Sequence, residues 1–258
     1  MNSLLYNCET LGNDVPPDVE KQYIKLLKST FGVRTNTPTL TLYVETGFLP
    51  IKAVILARQW KFFQRYKEGL ITGTPRAKLF DRILAEGNEY VQHYINLSQK
   101  YSCTDDIYRE YSVMVKHKIR TLACQDHYKI KIYLEMNPNL EISPFINNLH
   151  PLCRQIIRFR LGSHCLPIET GRWSRTARAD RLCADCGVLG DEHHALFHCT
   201  KIDRTGITLP EDPSEIWKTV DLFSLFQRLK TEKLVEKLCH RGLIGGLIVS
   251  SWYFSIFS

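Results

Sequence analysis

The sequence predicts a mostly α fold, arranged as an irregular helical bundle, and three observations lead to this prediction. Apolar residues make up 44% of the 258 residues, which is enough to bury a sizeable core in one large or two small domains. Charged residues make up 24%, close to the average of globular proteins, which argues against wholesale disorder. Helix-forming residues dominate, whereas the Asn-Gly and Asp-Gly pairs typical of tight β-hairpins do not occur.

Helical periodicity and helix-end signals place the elements along the chain. Residues 16–30 begin around Pro17 and end before Gly32, and residues 105–125 have the strongest helical period. The threonine-rich stretch 33–50 is predicted to be an ordered connector. Further helices are predicted over 51–66, 75–86, 88–99 and 151–161, with Ser214, Asp221 and Thr231 as N-caps of short C-terminal helices.

These signals divide the chain into three predicted segments. Residues 1–140 form a helical region, residues 141–205 hold a basic helix and a cysteine-rich module, and residues 206–258 hold short helices and an apolar tail. The tail from 242 to 258 carries no charge but is marginally short for a membrane span. We therefore expect a packed or frayed tail rather than a membrane anchor, and a membrane is not an expected partner.

Basic residues are concentrated in one part of the chain. The formal net charge is +7, with 34 basic and 27 acidic residues. Between residues 154 and 181 there are seven arginines and only two acids, Glu169 and Asp180. Such a local excess favours a polyanionic partner, either RNA or DNA.

Arginines and one tryptophan are interleaved just before the cysteine-rich module. Guanidinium groups bind phosphates, and an indole ring offers a stacking face for an unpaired base. The alternative is a solvated surface in which the tryptophan anchors the core. The residues predicted to contact nucleic acid are Arg154, Arg158, Arg160, Arg172, Trp173, Arg175, Arg178 and Arg181.

Cysteine usage indicates a reducing compartment. The nine cysteines are an odd number, and Met1 is followed by an ordinary apolar segment rather than by a signal peptide. We expect the nucleus or the cytoplasm, where clustered cysteines act as metal ligands. Five scattered cysteines are expected to be small buried hydrophobic residues: Cys8, Cys103, Cys124, Cys153 and Cys239.

A metal site is predicted from the spacing Cys-x2-Cys-x7-His-x4-Cys, with Cys183, Cys186, His194 and Cys199 as ligands. Two cysteines three residues apart can direct both thiolates at one ion, and a closed set of three thiolates and one imidazole is typical of structural Zn²⁺. The predicted fold therefore includes a small zinc-knuckle module near the C-terminus. Alternatives are ligation by His193 or His198, or a redox-active Cys-x2-Cys pair.

Several motifs resemble the C-terminal, post-polymerase region of non-LTR (LINE-type) retrotransposon reverse transcriptases. They cover about residues 1–200 and lie at Leu4–Thr10, Gly32–Pro38, Tyr43–Pro50, Arg158–Ser163, Ile168–Trp173, Arg181–Cys186 and Asp191–Cys199. The resemblance implies a segment that follows the polymerase palm and thumb, ends in a zinc knuckle, and grips RNA and target DNA in a larger retrotransposon ribonucleoprotein.

The chain departs from that family where catalysis would occur. The aromatic-x-Asp-Asp signature of the polymerase is missing, because Asp105-Asp106 opens a helix instead, and no nuclease motif follows Cys199. The sequence therefore predicts a non-catalytic, nucleic-acid-binding zinc-knuckle fragment. Alternatives are a structural zinc module in a helical protein-interaction domain, a hydrolase built on His164 and Cys165, or a degenerate copy without function.

Overall fold

The computed structural model describes residues 5, 8–10, 15–87, 89–125, 127–148, 150–219 and 221–232. Over these ranges the chain is mostly helical and contains no β-strand, which confirms the predicted α class. The α-helices are α1 (Pro17–Phe31), α2 (Thr39–Thr46), α3 (Ile51–Lys67), α4 (Pro75–Glu86), α5 (Glu89–Lys100), α6 (Thr104–Cys124), α7 (Tyr128–Met136), α8 (Cys153–Arg160), α9 (Pro167–Trp173) and α10 (Leu222–Thr231). Shorter helical turns lie at Cys8–Thr10, Arg178–Asp180, His194–His198 and Pro213–Lys218.

Six of these helices were predicted from the sequence, and their observed bounds lie within two residues of the predicted ones. They are α1, α3, α4, α5, α6 and α8. Local signals explain this agreement. In α4, for example, the Thr74 side chain accepts a hydrogen bond from the Ala77 N–H at 3.2 Å, and Pro75 occupies the first helical position.

The predicted connector over 33–50 is wrong, because it contains helix α2. Threonine and other β-branched residues have low helix propensity, so the local pattern gives no helix signal. Six consecutive residues of this helix are nevertheless buried, Thr41–Thr46. Burial on all sides, rather than an amphipathic period, is therefore what makes this segment helical.

The predicted caps near the C-terminus are correct in part. Asp221 directly precedes α10, as predicted. The turn at Pro213–Lys218 begins after Asp212 rather than Ser214, because the Asp212 carboxylate accepts the Ser214 N–H at 2.8 Å. Thr231 is the last residue of α10, and the residues after Glu232 lie outside the described part of the chain.

The described residues form two compact units whose boundaries differ from the three predicted segments. One unit comprises the described parts of Met1–Leu26 and Phe48–Lys118, and the other comprises those of Leu27–Gly47 and Ile119–Ser258. Residues 27–47 and 119–140 therefore belong with the cysteine-rich module, although the sequence places them in the first segment. This grouping could not be predicted, because local sequence patterns do not show which distant segments pack together.

The first unit has two apolar clusters among its helices. In one of them, the ring of Phe80 packs edge-on against Tyr94, with the two centroids 4.8 Å apart. The clusters consist of Ala53, Leu56, Ala57, Leu97, Tyr101 and Ile107, and of Phe62, Phe63, Phe80 and Tyr94. Both clusters lie along α3, which explains why this helix has buried residues over its whole length.

The second unit contains a charged pair inside its core. Arg160 on α8 donates from Nε to Glu45 on α2 at 2.8 Å, and the Tyr133 hydroxyl donates to the same carboxylate at 3.0 Å. Both charged residues are buried, with 4% of Arg160 and 0% of Glu45 exposed. Beside them, Phe159 packs on Phe226 with centroids 5.3 Å apart. This core joins α2, α7, α8 and α10 in the unit that carries the cysteine-rich module.

Among the described residues, no single helix has the length and apolar character of a membrane span. The consecutive helices α2 and α3 meet the length and composition criteria only when they are taken together. The predicted apolar tail at 242–258 lies outside the described residues.

Candidate metal centre and arginine surface

The first two predicted metal ligands lie on a tight hairpin. The Cys183 N–H donates to the Val188 carbonyl at 2.7 Å, and the Gly187 N–H donates back to the Cys183 carbonyl at 2.9 Å. Gly187 has a φ of 66°, a left-handed conformation that glycine adopts without steric cost. This turn directs the side chains of Cys183 and Cys186 to the same side of the hairpin, as their spacing predicted.

The other two ligands lie on a single helical turn at His194–His198 and directly after it. Asp191 begins this turn, because its carboxylate accepts the His194 N–H at 2.9 Å. The Cys199 N–H donates to the His194 carbonyl at 2.8 Å across a wide π-helical turn. The turn thereby directs His194 and Cys199 to the same point.

All four predicted ligands converge. Their ligand atoms lie within 4.8 Å of one another, and the sulfurs of Cys183 and Cys199 are 3.8 Å apart. Two sulfurs at about 2.3 Å from one tetrahedral zinc ion would lie about 3.8 Å apart. The Nε2 atom of His194 is buried and has no hydrogen-bond partner, which is unfavourable unless an ion binds there. The cluster can therefore hold a metal ion.

The protonation of the ligands fits this role. Burial lowers the pKa of His194, which favours the neutral imidazole that metals bind. The hydrogen bond with the Thr200 hydroxyl lowers the pKa of Cys186, and burial raises the pKa of Cys199 to about 11. Without a metal, Cys199 therefore holds its proton, so ion binding at neutral pH must release it.

The alternative histidine ligands lie outside the cluster. His193 and His198 are exposed, and their rings contact each other with centroids 4.9 Å apart. Among the other cysteines, Cys8 and Cys153 are buried as expected, whereas Cys103 and Cys124 are exposed. Cys239 lies outside the described residues.

Arg204 stabilises the loop that carries the last ligand, a role that the sequence did not reveal. Its guanidinium donates to the Leu196 carbonyl at 3.0 Å and to the Cys199 carbonyl at 2.7 Å. It also donates to the carbonyls of Ala195 at 2.8 Å and Ile202 at 3.0 Å. Carbonyls at the end of a helical turn have no partners within the turn, so this side chain completes their hydrogen bonding.

The metal hairpin packs closely on helix α9. A side chain at Gly190 would come within 2.6 Å of Pro167, and the Gly190 carbonyl accepts the Ile168 N–H at 3.1 Å. The side chain of Arg181 lies so close to Gly171 that a Cβ atom there would be 2.5 Å from the Arg181 Cγ atom. Its guanidinium donates to the carbonyls of Thr176 and Ile168. The guanidinium of Arg181 therefore holds the segment 172–180 in place, and its N–H groups are engaged by backbone carbonyls.

The remaining predicted arginines differ in exposure. Arg154, Arg175 and Arg178 are exposed, whereas Arg158 and Arg172 are half-buried. The prediction that Arg160 contacts nucleic acid is wrong. Helix α8 directs this side chain inward, where it pairs with Glu45 in the core. It is not accessible to a polyanion in this structure.

Trp173 is exposed rather than anchored in the core, which contradicts the core-anchor role that the alternative gave it. Half of it, 52%, is exposed, and the guanidinium of Arg34 lies 3.7 Å from the centre of its ring. The residues Arg172, Trp173, Arg175 and Arg178 are called the arginine surface below. Arg34 was not predicted as part of this site, because it lies far away in the sequence.

A tyrosine links the arginine surface to the metal loop. Arg178 and Arg172 lie over the ring of Tyr128, at 4.1 Å and 5.7 Å from its centre. The Tyr128 hydroxyl donates to Glu192 at 3.3 Å, two residues before the ligand His194. Aromatic stacking therefore fixes two of the cationic side chains next to the metal loop.

The proposed nucleophile pair is not supported by the geometry. The ring of His164 is buried, and its Nε2 atom lies 2.8 Å from Glu192. Its Nδ1 atom accepts the Leu166 N–H at 3.3 Å. Both ring nitrogens are therefore engaged, and neither is directed at Cys165.

Comparison of the chain with protein-family models, with curated proteins and with solved structures found no match in any of the three. The resemblance to non-LTR reverse transcriptases stays a prediction from the sequence motifs.

Proposed function

We propose that the Cys183, Cys186, His194 and Cys199 cluster binds Zn²⁺ as a structural ion. The support is the donor set, because three thiolates and one imidazole complete a tetrahedral shell without a water ligand. The distance of 3.8 Å between two of its sulfurs agrees with such a shell. The ion would hold the hairpin and the helical turn together.

We further propose that this zinc-knuckle module binds RNA or DNA through the arginine surface, in the nucleus or the cytoplasm. One observation supports this above the others: an exposed indole ring and exposed guanidinium groups share one short segment that packs against the metal hairpin. Guanidinium groups neutralise phosphates, and Trp173 offers its outer ring face to a base.

The backbone of Arg175 adds independent support. Its φ of 56° is left-handed, a conformation that favours glycine, and it ends α9 with a hydrogen bond from the Thr176 N–H to the Gly171 carbonyl at 2.8 Å. Helices that end in this way usually carry glycine at this position. A non-glycine residue there costs about 1–2 kcal/mol, so its presence points to a role for the side chain.

A salt titration of single-stranded RNA binding, paired with Arg175→Gly, tests this function. If the three arginines of the arginine surface contact phosphates, the plot of log K against log salt should have a slope of about −2. Arg175→Gly should reduce that slope by about 0.7. It should stabilise the fold by about 0.5–1 kcal/mol, because the relieved strain of about 1–2 kcal/mol exceeds the conformational entropy that glycine loses on folding.

Two control variants separate charge from structure. Arg175→Lys keeps the charge and should keep the slope, and Arg82→Met in α4 removes an exposed arginine of the other unit and should change nothing. Retained zinc without salt-sensitive RNA binding would contradict the proposed function. That result would favour a helical protein-interaction module with a structural zinc ion.

The chain is further proposed to be a non-catalytic derivative of a non-LTR retrotransposon reverse transcriptase, acting within a larger ribonucleoprotein. The support is the set of motifs from Arg158 to Cys199 and the position of the paired acids. Asp105 and Asp106 lie in the first turn of α6, where Asp106 accepts the Ser102 N–H at 3.0 Å and the Cys103 N–H at 3.3 Å. Acids in this place stabilise a helix start.

Primer extension tests the non-catalytic assignment. With Mg²⁺, a primed RNA template and deoxynucleotides, the purified chain should give no product, because two-metal nucleotidyl transfer needs paired carboxylates that both face the substrate. Extension that is lost in Asp105→Asn together with Asp106→Asn would contradict the assignment.

A further inference from the structure

A cavity of about 420 Å³ lies in the second unit, beside the arginine surface. Its volume falls in the range of roughly 300–1,000 Å³ that small-molecule sites occupy. The walls include the apolar side chains of Leu40, Leu122 and Ile130, and the ring of Tyr128. Neither the four residues of the cysteine–histidine cluster nor Trp173 lines this cavity.

The charged lining of the cavity has an excess of positive charge. Lys129 and Arg172 both line it, and both contact one buried carboxylate, Glu169. The Nζ atom of Lys129 lies 2.6 Å from this carboxylate, and the Nε atom of Arg172 lies 3.2 Å from it. Two cations thus share a single anion in a place where only 8% of the Lys129 side chain is exposed. An anionic ligand would balance the remaining charge.

Two helices begin at the same cavity and add to its positive potential. Helix α2 begins with Thr39 and Leu40, and helix α7 begins with Tyr128 and Lys129. All four of these residues line the cavity. Neither helix has a side-chain N-cap hydrogen bond. The first N–H groups of a helix have no partner within it, so they favour an anion.

We infer that this cavity binds one nucleotide of the bound strand, with its phosphate beside Lys129, Arg172 and the two helix starts. The apolar walls and the Tyr128 ring then accommodate the sugar and the base. This inference rests on the proposed function, because it assigns a part of the bound nucleic acid to a specific place. It also explains why Arg172 is half-buried: its guanidinium would contact a phosphate inside the cavity rather than on the open surface.

The test uses the full-length chain and a substitution that the fold tolerates. Thr39→Asp places a carboxylate at the cavity, and an acid in the first turn of α2 stabilises the helix. The matched control is Thr39→Asn, which has the same shape without the charge. AMP, UMP, adenosine and inorganic phosphate are titrated into each protein, with amide resonances of the cavity residues as the readout, and single-stranded RNA binding is measured in parallel.

The wild-type chain should bind AMP and UMP, with resonance changes at Tyr128 and Lys129, and the affinity of Thr39→Asn is the reference against which the charge in Thr39→Asp is judged. Thr39→Asp should bind AMP and UMP about tenfold more weakly than Thr39→Asn, because its carboxylate repels the phosphate more strongly near a protein surface than in bulk water. Adenosine should bind weakly, and inorganic phosphate should bind less tightly than AMP.

Other results would overturn the inference in distinct ways. If RNA binds with the expected salt dependence but AMP and UMP cause no changes at the cavity, the nucleotide site is refuted and the proposed function stands. If AMP binds in a Thr39→Asp-sensitive way but RNA does not bind, the proposed function fails and the assignment to a strand fails with it. If inorganic phosphate binds as tightly as AMP, the cavity does not recognise a nucleoside.

Discussion

Cys183→Ser should release the metal ion and unfold the segment around residues 181–204. The substitution removes one of three thiolates from a closed shell, and zinc binding of this type contributes about 10–16 kcal/mol of apparent free energy in finger peptides. Zinc content should fall from one ion per chain to close to none after dialysis against a weak chelator. Circular dichroism and amide hydrogen exchange should show the loss of order in that segment.

The matched control for this prediction is Cys103→Ser, because Cys103 is exposed and lies in the other unit. Its zinc content and hydrogen exchange should equal those of the wild-type chain. A Cys183→Ser protein with unchanged metal content and an unchanged circular dichroism spectrum would refute the ligand assignment.

Arg160→Met should destabilise the second unit by about 3–5 kcal/mol, because it leaves the buried carboxylate of Glu45 without its cation. Within the described part of the chain, the Tyr133 hydroxyl, at 3.0 Å, would then remain as the side-chain partner of this carboxylate. Urea denaturation followed by circular dichroism measures the change in the free energy of unfolding.

The control for the buried pair is on the same helix. Arg154 on α8 is exposed, so Arg154→Met should change the stability by no more than about 0.5 kcal/mol. The double variant Glu45→Leu with Arg160→Met should recover most of the loss, since an apolar pair replaces the ionic one. Equal stability of Arg160→Met and the wild-type chain would show that the pair is solvated.

The cysteine–histidine cluster could be predicted from the sequence because it is local. Its four ligands lie within residues 183–199, and each pair of ligands lies on or next to one turn whose geometry follows from spacing alone. The helices α1, α3, α4, α5 and α6 could be predicted for the same reason, since caps and periodicity operate within a few residues.

The surroundings of the site could not be predicted, because they depend on contacts between distant parts of the chain. Arg160 and Glu45 are 115 residues apart, and an exposed arginine has the same local sequence signature as a buried, paired one. Arg34 reaches Trp173, and Tyr128 reaches the metal loop, only after the second unit has folded. Helix α2 was missed because burial, rather than propensity, makes it helical.

The central claim is that three thiolates and one imidazole hold a single zinc ion, and X-ray absorption at the zinc edge of the purified chain tests it most directly. We expect one zinc per chain with three sulfur neighbours at about 2.3 Å and one nitrogen at about 2.0 Å. A protein that folds without zinc, or whose zinc is surrounded mainly by oxygen and nitrogen, would contradict it.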